Sequence, residues 1–360
     1  MSHEHHPGRW FRALGDGRLE CELCPRHCRL HDGQRAFCFV RQRVGDQVVL
    51  TTYGRTTGVC IDPIEKKPLN HFLPGTSTLS FGTAGCNLGC RFCQNSDISK
   101  SRDDERLSQG APPQAVAGAA LDHGCASVSF TYNDPVTWAE YVLDTADACR
   151  ARGVRTVAVT AGYIGRAARE EFFAGIDAAN VDLKAFTDRF YEDVCLTPPG
   201  GLGAVRDTLA WLRHETRVWF EITTLLIPGH NDADAEVREL AHWVSRDLGA
   251  DVPLHVTAFH PSFRMLDVPH TSPATLSRAR AIARDAGLHF VYTGNVWDPE
   301  GQTTYCPSCR AAVIERDGYR LLGYALDERG RCRHCAQALP GVFAASPPRQ
   351  RLRRAPVSVR

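Results

Sequence analysis

The chain has 360 residues, a formal charge of +1 and 43% hydrophobic residues. That length exceeds one average domain, so one large domain with appendages is expected, and the near-neutral balance argues against a general polyanion binder. No apolar run is long enough for a signal-peptide core or a membrane span, so a cytoplasmic location without membrane association is expected.

Residues 1–76 read as a Cys-rich N-terminal module holding Cys21, Cys24, Cys28 and Cys38. Short strands are expected at residues 47–53 and 57–61, and Pro68, Pro74 and Gly75 punctuate the stretch after them. From Thr78 the pattern becomes β-rich runs alternating with helical stretches. Strands are expected at residues 78–83, 127–132, 155–160, 180–186, 218–227 and 253–259, with a short one at 289–292. Helices are expected at 113–123, 136–152, 166–175, 202–214, 233–248 and 273–286. Such alternation favours parallel strands with helical crossovers. About six βα units imply an α/β partial (β/α)6 barrel over residues 77–297, with ligands at the carboxyl ends of the strands. Residues 298–343 read as a zinc-ribbon-like module, and the Pro- and Arg-rich residues 344–360 as a disordered tail.

Fifteen cysteines in a reducing compartment are not expected to form a disulfide framework. Eleven fall into three groups: Cys21, Cys24, Cys28 and Cys38; Cys86, Cys90 and Cys93; Cys306, Cys309, Cys332 and Cys335. Cys60, Cys125, Cys149 and Cys195 read as core thiols, with a residual redox or substrate role for Cys60 and Cys195. Lysine is scarce: only Lys66, Lys67, Lys100 and Lys184 stand among 42 basic residues. Genomic composition explains such a bias, yet a surviving lysine can mark a site that needs a compact ammonium.

Residues 86–93 read Cys-Asn-Leu-Gly-Cys-Arg-Phe-Cys. Three thiolates at this spacing can hold a [4Fe–4S] cluster and leave its fourth iron without a protein ligand. An open metal position is what allows chemistry. The octet, with Phe92 before its last Cys, resembles the signature of the radical S-adenosylmethionine (SAM) superfamily. The resemblance implies that SAM chelates the open iron and is cleaved by one electron to a 5′-deoxyadenosyl radical.

Further stretches, among them residues 130–135, 181–186, 225–232 and 253–261, resemble the activase-like branch related to pyruvate formate-lyase activating enzyme. The run Asp62-Pro63-Ile64-Glu65-Lys66-Lys67-Pro68, the N-terminal cysteines and the Cys-rich ending are similar to the radical SAM member of the AmmeMemoRadiSam three-protein system. That likeness implies functional linkage to Memo-like and AMMECR-like proteins, and leaves the substrate open.

In place of the Gly-Gly-Glu that many superfamily members carry after the second strand stands Tyr132-Asn133-Asp134-Pro135. Either Asn133 or Asp134 could accept from the SAM ammonium, or the stretch is simply a helix start capped by Asp. The Asp182-Leu183-Lys184 run resembles the activase Asp-Leu-Lys, making Lys184 a candidate partner of the SAM carboxylate, against a structural ion pair. Thr160-Ala161-Gly162 lacks the polar turn of an activase cation site. The turn Ile227-Pro228-Gly229-His230-Asn231-Asp232 places Asn231 at the adenine side or at a plain helix start. His255 and His260 flank the sixth strand as candidate proton relays or structural side chains. Glu65, Lys66 and Lys67 form either a solvated loop or a wall of the active-site mouth.

Cys306, Cys309, Cys332 and Cys335 form two knuckles that suit structural zinc. The N-terminal four suit zinc or an auxiliary iron–sulfur cluster, with zinc the preferred reading. The leading function is therefore a radical SAM enzyme served by a low-potential electron donor, acting on a protein residue or a small molecule. The alternatives are a zinc-stabilised binding or scaffold protein and a radical SAM enzyme that modifies RNA. Nucleic acid is disfavoured by the absence of an interleaved basic and aromatic stretch.

Overall fold

The computed structural model describes residues 6–101, 109–344 and 355–359. A nine-stranded sheet organises the molecule. In chain order its strands are β1 (Cys60–Pro63), β2 (Ser77–Phe81), β3 (Ser127–Phe130), β4 (Arg155–Thr160), β5 (Ala178–Asp182), β6 (Trp219–Leu226), β7 (Leu254–Ala258), β8 (Val291–Gly294) and β9 (Ala355–Pro356). From β2 to β8 each strand pairs in parallel with its successor. Six βα units thus end in a seventh parallel strand. β3 and β7 are buried along their whole length, as strands covered on both faces must be. β1 and β9 add antiparallel to the edge beside β2.

The helices lie where apolar periodicity puts them: Pro113–Asp122, Ala139–Arg150, Arg166–Ala174, Gly201–Glu215, Asp234–Trp243 and Pro273–Asp285. Two depart from expectation in ways their ends explain. The stretch expected at 136–152 starts as a 3-10 turn, Pro135–Trp138, because the Asp134 side chain accepts from the Val136 N–H and proline sits at the first helical position. The stretch expected to run to 248 passes at Val244 into a single π turn ending at Gly249, whose φ is +113°. The strand expected at 180–186 occupies Ala178–Asp182 instead, so residues 183–186 leave the sheet. There the Leu183 carbonyl accepts from Thr224 Oγ1 at 2.8 Å rather than from a ladder N–H.

Two expected boundaries are crossed. β1, within the segment read as a separate N-terminal module, is part of the main sheet. The tail read as disordered over 344–360 contributes β9, and Val357 donates its N–H to the Val59 carbonyl at 3.0 Å. Val357 and Val359 pack on the main core, which gives that stretch something to bury. Residues 345–354 lie outside the described residues.

The N-terminal segment docks through a buried ion pair. Arg41 donates through Nη1 to Glu140 Oε1 at 2.7 Å and through Nη2 to Oε2, and its Nε donates to the Thr137 carbonyl at 3.1 Å. Both side chains are at most 2% exposed. Arg41→Ala leaves a buried carboxylate without its cation, a change that costs about 3–5 kcal/mol. Urea unfolding at neutral pH is expected to show a loss of that size; a loss under 1 kcal/mol contradicts a docking role for the pair.

The C-terminal segment carries a β-hairpin, Ala312–Asp317 with Arg320–Tyr324. Its dock lies at the amino-terminal ends of the barrel strands. Glu221, fully buried, accepts from the backbone N–H groups of Asn70 (2.9 Å) and His71 (2.7 Å), and meets His255 Nε2 at 2.7 Å. His71 Nε2 meets the Tyr292 hydroxyl at 2.6 Å and its Nδ1 meets the Pro340 carbonyl at 2.7 Å, while Arg316 donates to the Asn70 carbonyl at 2.8 Å. Burial pushes the His71 imidazole down to about 4. The unfolded chain therefore takes up the proton first: this stability is complete above the ordinary value of 6.5 and is lost as pH falls towards 4. At full extent the loss is on the order of 3 kcal/mol. His71→Gln is expected to flatten the fall in unfolding free energy between pH 6.5 and 4; an unchanged slope contradicts the assignment.

Candidate active site

A cavity of about 680 Å³ opens at the carboxyl ends of the barrel strands. Cys86, Cys90 and Cys93 line it, together with Phe92, Asn133, Asp134 and Lys184. Asn231 does not.

The cysteines sit on the loop that leaves β2, and that loop is held from several sides. Asn133 Oδ1 accepts from the Thr83 N–H at 3.0 Å while its Nδ2 donates to the Gly85 carbonyl at 2.6 Å, tying the loop to the end of β3. The segment after the short helix Asp188–Asp193 lies along the loop: the Gly89 and Arg91 N–H groups donate to the carbonyls of Cys195 and Val194 at 2.8 and 2.9 Å. Two glycines are required by contact. Gly85 has φ +82°, and a Cβ there would run into the Cys38 carbonyl; a Cβ on Gly89 would stand 2.7 Å from that of Leu196. Lys100 Nζ donates to the Leu88 carbonyl, and Ser99 Oγ lies 3.0 Å from Cys93 Sγ.

Cys195, expected as a core thiol, packs behind the loop through its backbone carbonyl; its thiol lowers that of Cys90, while burial first and Cys90 second raise Cys195. Burial pushes the Cys86 thiol up to about 11. The sequence offered no signal for Cys195 beyond its being one of four scattered cysteines.

Asn133 and Asp134 line the cavity, yet their polar atoms are engaged. Asp134 accepts from the Val136 N–H at 3.1 Å, Thr160 Oγ1 at 3.0 Å and the Ala161 N–H at 3.0 Å, which makes it a cap that also ties β3 to β4. Burial raises its carboxyl against these bonds. Asn231, expected near an adenine, is spent on the backbone: it accepts from the Ile227 N–H at 2.7 Å and donates to the carbonyls of Lys184 and Leu225 at 2.7 and 2.9 Å. It fixes the stretch that carries Lys184 without reaching the cavity.

Lys184 pairs with Asp182 Oδ2 at 2.9 Å, and its ammonium lies 5.8 Å from the Phe92 ring centre. Burial opposes its charge, but Asp182 and the neighbouring sulfurs hold it well above its ordinary value. An ion pair and a lining position therefore coexist. All four lysines gather here: Lys66, Lys67 and Lys184 line the cavity, and Lys100 braces the loop beneath it. The scarcity of lysine was thus a positional signal.

At the mouth, Lys66 and Lys67 meet the two oxygens of Asp62 at 2.9 and 2.8 Å. Burial raises the Asp62 carboxyl, but the two ammonium groups prevail and hold it at about 2. Glu65 is not part of a solvated loop. It is buried, accepts from the Gly75 N–H at 2.7 Å, and is pushed by burial up to about 7. Tyr319, at the tip of the C-terminal hairpin, also lines the cavity, a contribution from a distant segment that sequence reading missed. His255 belongs to the buried Glu221 pair, and His260 meets His270 in an exposed pair, Nδ1 to Nδ1 at 2.7 Å; neither lines the cavity.

The C-terminal cysteines converge. Cys306 and Cys335 lie 3.6 Å apart and Cys309 and Cys332 3.7 Å, with all four sulfurs within 4.8 Å of one another. Zn–S bonds of about 2.3 Å in a tetrahedron require sulfurs at nearly this spacing, so the quartet fits a single metal ion. Neither of the other two cysteine groups contains three sulfurs that close. Three thiolates on one loop, set wider than a single ion would draw them and opening on a cavity, fit a cubane with one bare iron.

The model of the Radical SAM superfamily matches residues 81–241. An uncharacterized protein of Methanocaldococcus jannaschii is 37% identical over 335 residues, 93% of this chain and 98% of its own length. Pyruvate formate-lyase-activating enzyme of Clostridium pasteurianum is 26% identical over 47% of this chain and 69% of its own length. Pyruvate formate-lyase 1-activating enzyme of Escherichia coli K12 is 23% identical over 52% and 75%. Residues 81–241 thus carry a Radical SAM domain, and about half of the chain is similar to pyruvate formate-lyase-activating enzymes. Among the described residues no helix is long and apolar enough to cross a membrane.

The close packing of the loop makes a test. Gly89→Ala is expected to reduce the iron retained after anaerobic reconstitution by roughly half or more, and Gly89→Ala with Leu196→Ala to restore it. Failure of the double variant to recover would show that the contact is not what positions the loop.

Proposed function

We propose that this chain is a radical SAM enzyme of activase type that abstracts hydrogen from a residue of a protein substrate. The observation that carries the reading is the cysteine trio on one braced loop, facing a cavity large enough for a nucleoside-sized ligand, with the half-buried Lys184 ammonium at the end of another strand. When bound, a [4Fe–4S] cluster with SAM supplies a 5′-deoxyadenosyl radical after one electron arrives from a low-potential donor.

The roles of the chain's own residues derive from their positions. Cys86, Cys90 and Cys93 hold the cluster, and Asn133, Gly89 and Lys100 keep their loop in shape. Lys184 stays charged at the cavity wall, where it can receive a carboxylate in addition to Asp182. Asp182 and Asn231 aim it. Asp134 lines the same wall, where its carboxylate would favour an ammonium on the ligand. Phe92 supplies an apolar wall beside the lysine. The charged trio Asp62, Lys66 and Lys67 and the tip of the C-terminal hairpin at Tyr319 shape the entrance; a mouth built from two segments distant in sequence suits a protruding peptide more than a small enclosed metabolite.

A protein substrate is supported by the activase relatives, whose names describe activation of another enzyme. Linkage to Memo-like and AMMECR-like proteins rests on the likeness of residues 62–68 and the two outer cysteine groups, and a cytoplasmic site of action on the reducing chemistry that such a cluster requires. The C-terminal quartet is assigned structural zinc.

Anaerobic protein reconstituted with iron and sulfide, then given dithionite and SAM, is expected to release 5′-deoxyadenosine, and Cys90→Ala to release none. A loaded wild-type protein that leaves SAM intact sinks the proposal. Lys184→Met is expected to weaken SAM binding about ten- to a hundredfold with the cluster retained, the scale of one lost charge-assisted hydrogen bond. Unchanged affinity would remove Lys184 from the binding site.

A further inference from the structure

The N-terminal cysteines form a second site whose geometry differs from that of the C-terminal quartet. Cys21 ends the strand Leu19–Cys21, and Cys24 and Cys28 lie on the turn after it, which closes when the Cys21 N–H donates to the Cys28 carbonyl at 2.9 Å. Cys38 arrives from another turn, where Phe39 holds φ +65° and donates its N–H to the Ala36 carbonyl at 3.0 Å. All four are free thiols, and together they line one enclosed pocket.

Two observations separate this pocket from a zinc site. In the C-terminal quartet the sulfurs crowd to within 4.8 Å, whereas no three of the N-terminal sulfurs come that close. The chain thus provides its own reference for single-ion spacing, and this group is wider. The four cysteines also line one void with room for about one water molecule. A tetrahedron with sulfurs about 2.3 Å from its centre encloses no such space. Four thiolates held apart around a void match a cubane, whose irons and sulfides stand between them. Backbone N–H groups aimed at the sulfurs, those of Leu23 on Cys21, Arg26 on Cys24 and Val40 on Cys38, occur in both kinds of site and decide nothing here.

The pocket is backed against the active-site loop. Asn87, the residue after Cys86, lines it, and the Cys38 carbonyl packs on Gly85. Arg26, between Cys24 and Cys28, donates to the carbonyls of Asn87 and Leu196 and so joins the two cysteine loops directly. Arg26 and Arg41 bring cationic groups to its wall, appropriate to a cluster whose four thiolates leave it anionic.

We propose that Cys21, Cys24, Cys28 and Cys38 hold a second [4Fe–4S] cluster, fully ligated by protein, behind the loop of Cys86, Cys90 and Cys93. With all four irons ligated it has no open position for SAM, and its chemistry is to accept one electron from a low-potential donor and to release one. This replaces the sequence-based preference for zinc at that site. The assignment does not depend on SAM being cleaved.

The test is metal and sulfide analysis of the full chain, isolated without oxygen and reconstituted with iron and sulfide. The expected content is about eight irons, about eight sulfides and one zinc per chain, since each cubane holds four irons. About four irons with two zincs overturns the proposal, and so does a content near six irons. The wild-type count depends on no variant folding. Cys24→Ala with Cys28→Ala is then expected to fall to about four irons, keep the C-terminal zinc, and keep the change that SAM causes in the EPR spectrum of the reduced protein. If that variant retains about eight irons, the second cluster lies elsewhere and the assignment fails. Eight irons in a protein that never forms 5′-deoxyadenosine would leave this cluster standing while refuting the proposed reaction.

Discussion

The arrangement depends on one short loop being held rigid without secondary structure of its own. Residues 83–93 run from the end of β2 past three cysteines, and a cluster can be ligated by three thiolates only if their sulfurs are already near their final places. The loop achieves this by lending its backbone to neighbours. Asn133 fastens its start, the carbonyls of Val194 and Cys195 pair with its middle, and the Arg91 carbonyl accepts from the Arg264 N–H at 2.9 Å. Each contact comes from a different βα connection, so the barrel must close correctly before the site exists. The fold thereby serves as the frame for the loop, and a defect far from the cysteines can cost the cluster.

The same dependence explains the polar residues that sequence reasoning placed on the ligand. Asn133, Asp134 and Asn231 occupy the ends of strands, where a ligand belongs, and they do polar work there. That work is largely internal: each saturates buried backbone groups that would otherwise be orphaned at a cost of about 1–3 kcal/mol. A strand end in a parallel barrel has both needs at once, because the backbone must turn and the cavity must be lined. Spacing alone does not tell which need a given side chain meets. Lys184 differs because an ammonium has three donors and Asp182 takes one, which leaves it able to serve both.

Much was legible before the structure. The β/α alternation yielded six units in the right order, since buried parallel strands are continuous apolar runs and amphipathic helices repeat at their own period. The three cysteine groups announced themselves by spacing. Contacts between segments distant in sequence stayed hidden. Cys195 looked like a core thiol because its contact with the cluster loop, the Gly89 N–H on its carbonyl, joins segments on different βα connections. Tyr319 reaches the cavity because the C-terminal segment docks through Arg316 on the Asn70 carbonyl and His71 on the Pro340 carbonyl, next to the buried Glu221. The strand at Ala355–Pro356 lies in a segment whose composition signals disorder, and it is ordered by an edge that only the folded sheet provides. The choice of metal was hidden for the same reason: ligand identity is written in the sequence, whereas the distances between sulfurs belong to the fold.

Those distances bear on why the chain carries three cysteine groups at all. The C-terminal quartet brings its sulfurs together within 4.8 Å and so ties together the two ends of the segment that carries the hairpin with Tyr319. The N-terminal quartet and the catalytic trio are wider, and they share Arg26 and the backbone of Asn87. A zinc ion needs no neighbour of this kind, because it exchanges no electrons. Two redox centres do, since electron transfer between them requires proximity and a fixed path. The two wide groups lie side by side through Arg26 and Asn87, the placement that the proposed pair of clusters would need for an electron to pass between them.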